Sequence, residues 1–103
     1  MYGYEKFLLA VEGLESTSSD QRKALQDVYL AHILHVQEHD LPNEVLEDYR
    51  LIVKAVTLPD GVDPIGGHSG CFHAVSNLSD TQVEETIARI YCVFEKTKKI
   101  EMD

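Results

Sequence analysis

Between Tyr4 and Glu15 the apolar residues Tyr4, Phe7, Leu8, Val11 and Leu14 recur three and four positions apart, while Glu5, Lys6 and Glu12 lie largely off that stripe. The spacing predicts a first helix. Gly13 and the polar run Ser16, Thr17, Ser18 and Ser19 signal its end, because short hydroxyl side chains compete for backbone hydrogen bonds. Ser18 with Gln21 is a candidate capping box. The stretch Asp20 to Asp40 then carries helical periodicity for longer than any other, with Leu25, Val28, His32, Val36 and His39 on one face and His35 beside it. Leu30 and Leu34 point well away from that face. A helix from Ser19 to about His39, with neighbours on two sides, is therefore predicted as the central element.

In the segment HDLPNE, Asp40 can cap and Pro42 fits only the first turn of a following helix. Leu41, Val45, Tyr49, Ile52, Val53 and Val56 predict the buried face of this third helix, with an end near Leu58. Between Leu58 and Cys71 stand four glycines and two prolines, so no helix passes intact through Gly61 to Gly67. An irregular segment from Pro59 to His68 and a short helix from Ser69 to Asn77, anchored by Phe72, Val75 and Leu78, avoid an unusually long structureless loop. Ser79 and Gln82 repeat the capping-box pattern and open a last helix that buries Val83, Ile87, Ile90, Tyr91 and Phe94 and runs to about Lys98. No stretch shows the alternation of a strand. The expected fold is all-α: a single-domain, compact four-helix bundle with an additional short helix in the long connection between the last two main helices.

Charge narrows the functional classes. Eighteen acidic against nine basic residues give a net charge of −9, which works against non-specific attraction to nucleic acid or to an anionic membrane. The N-terminal residues MYGYEKFLLAVEG lack the basic region and cleavage pattern of a secretory signal, and no apolar run approaches a membrane span. A cytoplasmic protein with reduced Cys71 and Cys92 is expected, with no disulfide.

Imidazole and thiolate groups provide the candidate chemistry. His32, His35 and His39 fall within about 60° of one another on a continuous helix, and His68, Cys71 and His73 offer further ligands for zinc or a similar divalent metal in the glycine-rich segment. The spacing matches no HExxH or paired CxxC pattern. His32 lies between Leu25, Val28 and Val36 in projection, so the competing expectation is a packing histidine bonded internally. Cys71 with His68 or His73 could form a nucleophilic pair if a helix N-terminus stabilised the thiolate. The segment IGGHSG lacks the lysine, spacing and preceding strand of a phosphate loop.

Two surface features complete the reading. Glu38, Asp40, Glu44, Glu47 and Asp48 gather around one turn, where they could meet a basic partner or mimic phosphates, or simply complement a helix N-terminus. Leu9, Leu30, Leu34, Leu51 and Val93 project away from the predicted faces; exposed together, they would imply a homo-oligomer or a protein partner.

The segments YEKF at Tyr4 to Phe7, DLPNE at Asp40 to Glu44 and LSDTQVEE at Leu78 to Glu85 resemble a group of short bacterial proteins of similar length to which no function is assigned. The resemblance implies a bacterial, soluble, single-domain protein. It carries no activity, cofactor or site residue. The leading expectation is a small non-enzymatic protein that binds another protein or itself. The alternatives are a metal protein using His32, His35, His39, His68, Cys71 and His73, and an acidic inhibitor of a nucleic-acid-binding protein.

Overall fold

The structure, a computed structural model, describes residues 2–16, 20–57 and 70–102. Five α-helices fall in these ranges: α1 (Tyr2–Ser16), α2 (Gln21–Ala31), α3 (Leu46–Ala55), α4 (Gly70–Asn77) and α5 (Asp80–Met102). Short 3₁₀ turns occupy Ile33–His35, Glu38–Asp40 and Asn43–Val45, and no strand occurs among the described residues. The all-α class read from the periodicity is what forms.

The apolar stripe of α1 buries Phe7, Ala10 and Val11. Gly13 does not end this helix as its composition suggested: it lies inside α1, where an added Cβ would stand 2.7 Å from Val28 Cγ1. It is a point of close approach between α1 and α2. The cap of α2 is Asp20, whose carboxylate accepts from the Lys23 N–H at 3.1 Å; the predicted Ser18 cap lies outside the described residues.

The largest departure from expectation comes at Ala31. The predicted rod to His39 stops there, and the next fourteen or so residues descend through 3₁₀ turns instead. Burial supplies the reason. On a continued helix at about 100° per residue, Ile33 would sit about 80° from Leu25, and Leu41 about 160° from it. With the helix broken, Ile33, Val36, Leu41 and Val45 all reach the same core. The Val36 carbonyl, left without a helical donor, accepts from the Tyr49 hydroxyl of α3 at 2.6 Å.

α5 keeps its helical path for 23 residues. Its start is the predicted capping box: the Ser79 N–H donates to Gln82 Oε1 at 2.8 Å and the Gln82 N–H to Ser79 Oγ at 3.1 Å. Thr86 and Thr97 are buried, and each hydroxyl donates to the carbonyl four residues back, Gln82 and Val93, at 2.8 Å. Both therefore enter the interior with their polar atoms satisfied.

This helix shares the central place expected of α2, which itself packs against α1, α4 and α5. α5 packs against α1, α2 and α3. Tyr4 of α1 stacks on Phe94, ring centroids 6.0 Å apart, while Leu14 lies beside Ile87 and Tyr91, so α1 runs antiparallel to α5. Asp48 of α3 meets Cys92 and Lys96, whereas Leu51 and Ala55 lie beside Gln82 to Arg89, so α3 is antiparallel to α5 as well. Three neighbours explain why Val93, expected at the surface, is fully buried.

α4 forms where the short helix was expected and buries Val75 against α2. α3 ends at Ala55, a little short of the expected end near Leu58, and the irregular segment predicted at 59–68 lies outside the described residues. A radius of gyration of 13.4 Å is close to the roughly 13 Å of a compact chain of this length.

Candidate interaction surface

The break at Ala31 decides the fate of the histidine cluster. His32 is the half-buried residue that ends α2, His35 closes the first 3₁₀ turn at the surface, and His39 lies in the second, its side chain 76% exposed. The shared helical face that aligned them in projection does not exist. His39 Nε2 lies 3.4 Å from Asp40 Oδ1. Burial, with Lys6 and His35 adding to it, holds the His32 imidazole below its ordinary range and favours the neutral ring. Among the described residues no group of three or more His, Cys, Asp or Glu is arranged to hold a metal ion. Cys71 and His73 fall in α4, where side-chain description begins only at Ala74, and His68 lies outside the described residues.

The acidic corner is partly neutralised from within. Glu38 pairs with Arg50 at 2.6 Å, Asp48 with Lys96 at 3.5 Å, and Asp40 accepts from the Gln37 N–H at 2.9 Å. The Arg50 hydrogen bond also holds the Glu38 carboxyl below the usual carboxylate range. Glu44 and Glu47 remain exposed. Cys92, half-buried in α5, has its Sγ 3.5 Å from Asp48 Oδ2.

Two hollows flank α3. Burial of Tyr49 and Ile52 toward α5 turns Leu51 outward, 38% exposed, with Lys54 exposed and Ala55 half-buried nearby. These three line one side of a groove of about 370 Å³ whose other side is Leu78, Gln82, Glu85, Thr86 and Arg89. The Thr86 hydroxyl is turned back into its own helix, donating to the Gln82 carbonyl. Around α3, a second hollow of about 330 Å³ is bounded by Glu38, Tyr49, Arg50, Val53, Lys54 and Thr57. Both flanks of α3 thus combine a half-covered apolar strip with charged edges.

Of the residues expected to project outward, Leu9, Leu34 and Leu51 are exposed and Leu30 is only half-buried against the core. Leu34, at 52% exposure, faces out because Ile33 beside it faces in. The groove itself was hidden from sequence reasoning because its walls come from two segments about thirty residues apart in the chain. Leu51 was its one visible signal.

Arg22 is a residue the sequence left unremarked. From the first turn of α2 it donates through Nη1 to the carbonyls of Val75 and Leu78 at 2.5 and 2.6 Å, and through Nη2 to Asp80 Oδ1 at 2.9 Å. The end of α4 and the start of α5 are held by one guanidinium. No helix among the described residues is long and apolar enough to cross a membrane. No protein-family model, curated protein or solved structure matches this chain.

Proposed function

We propose that this protein acts by binding another polypeptide, a different protein or a second copy of itself, through the outer face of α3 and its groove against α5. The supporting observation is the groove lined by Leu51, Ala55 and Leu78 and edged by Lys54, Glu85 and Arg89. An apolar centre with a charged rim is the usual anatomy of a protein contact. In the same reading α1, α2, α3 and α5 form a four-helix bundle, with α4 packed across one end, and the bundle serves as a scaffold for that face.

The inhibitor reading ranks lower because Glu38 and Asp48 are already committed to Arg50 and Lys96. The metal reading has lost the common face of its three best ligands to the break after Ala31.

The test is sedimentation of the wild-type chain and of Leu51→Glu over a range of concentrations, joined to capture from cell extract on each immobilised protein with identification of retained polypeptides. Self-association, or a retained polypeptide, that the substitution removes supports the reading. A wild-type monomer whose capture profile equals that of the variant ends it.

A further inference from the structure

All nine basic residues lie in the described ranges, in a chain with twice as many acids. Arg22, Lys23, Arg50 and Lys96 pair with Asp80, Asp27, Glu38 and Asp48. Lys6 and Lys98 sit over the rings of Tyr2 and Phe94, 5.5 and 5.8 Å from their centroids. Lys99 lies in the last turn of α5, where the helix dipole favours a cation. Lys54, Arg89 and Lys99 thus stand without a carboxylate or ring partner among the described residues, and two of the three, Lys54 and Arg89, line the α3–α5 groove.

Lys54 also gains from a helix end, being in the last turn of α3. Arg89 has no such explanation. It is mid-helix and half-buried, and Glu85, four residues before it in the favoured order for an ion pair, does not pair with it. A partly dehydrated guanidinium beside apolar carbon calls for a carboxylate from whatever covers it.

Resting on the binding reading above, we propose that the occupant of the groove is an amphipathic helix of a different protein, with an apolar stripe that meets Leu51, Ala55 and Leu78 and flanking carboxylates that meet Arg89 and Lys54. A helix laid along the seam of two antiparallel helices presents anchors at three-and-four spacing, which suits an open groove better than it would an enclosed small-molecule pocket. Glu85 leaves the lining with only a slight positive excess, so the fitting helix has a few acids at its rim and is not a polyacidic tract. A second copy of this chain is disfavoured, because two bodies of net charge −9 repel at long range.

The probe is a designed amphipathic peptide with a Leu/Ala stripe flanked by glutamates, compared with a twin in which lysines replace the glutamates. Fluorescence anisotropy gives the affinities, and amide chemical shifts locate the contact. The glutamate peptide is expected to bind at least about tenfold more tightly, with shifts confined to residues around Leu51, Leu78 and Gln82. The double variant K54E/R89E, checked by circular dichroism for an unchanged helix content, should invert the ranking. Equal affinities, an unchanged ranking in the double variant, shifts elsewhere on the surface, or binding of neither peptide would overturn the proposal. None of these touches the wider binding reading, which falls only if Leu51→Glu changes neither assembly nor capture.

Discussion

Two stretches of this chain carry helical periodicity of similar length, and only one becomes a rod. Residues 80–102 stay helical throughout, whereas residues 20–40 leave the helix after Ala31. The difference lies in what each pattern must bury. Around α5, helices on several sides receive Val83, Ile90, Val93, Phe94 and even Thr97, so inward positions spread widely around the axis without leaving the core. α2 has no such surroundings at its end. Ile33, Val36 and Leu41 would diverge on a continuous helix, and β-branched and histidine residues give that path little intrinsic support. Periodicity reports which residues seek the interior; it does not report whether one straight element carries them there.

The sharpest way to break this contrast is to weaken each stretch at a side chain with a defined environment. Ile90→Ala opens a cavity in the fully buried side of α5 and should cost about 2–5 kcal/mol, read as a lower urea midpoint at unchanged slope. Leu34→Ala, on the 52% exposed side of the broken stretch, should cost under about 0.5 kcal/mol. Comparable losses would mean that the 33–35 turn packs as tightly as α5.

A smaller effect tests what replaces the helix after Ala31. Tyr49→Phe removes the donor to the buried Val36 carbonyl and should cost about 1–2 kcal/mol, with faster amide exchange through residues 33–41 than in α5. Burial, followed by Glu38 and Asp40, pushes the Tyr49 phenol above its ordinary range, so this support persists at neutral pH. An exchange increase of the same size in α5 would show that the bond serves the whole core.

The smallest effect is the pH dependence at the break itself. His32 is harder to protonate in the fold than in the unfolded chain, where an imidazole titrates near about 6.5. The unfolded state therefore takes up the proton first. Stability is fully present above that value and declines as the pH falls through it, levelling once the folded ring also protonates. Wild-type urea midpoints should fall more steeply between about pH 7 and pH 5 than those of His32→Gln. Parallel curves would assign the dependence to other groups.

Much of the fold was legible because it rests on local patterns. The stripes of α1, α3 and α5, the Ser79–Gln82 box and the short α4 were all readable from spacing and capping chemistry. What escaped depends on partners distant in the chain. Val93 gave no sign of burial because its neighbours are on other helices. Gly13 read as a stop because nothing in its own segment announces Val28. The candidate site was legible only through Leu51, since which cations lack a carboxylate or ring partner emerges only from the folded structure.

The grip of Arg22 on the corner between α4 and α5 has a consequence for how the molecule breathes. Three acceptors depend on one planar fork, and a lysine at that position, with a single ammonium, could not reproduce its geometry. α4 is thereby fastened to the beginning of α2, more than fifty residues earlier in the chain, as well as to the helix that follows it. Fraying of that first turn of α2 withdraws the fork and frees the last carbonyls of α4 in the same event, so these two pieces should open and close as one unit while the long helix beside them stays shut.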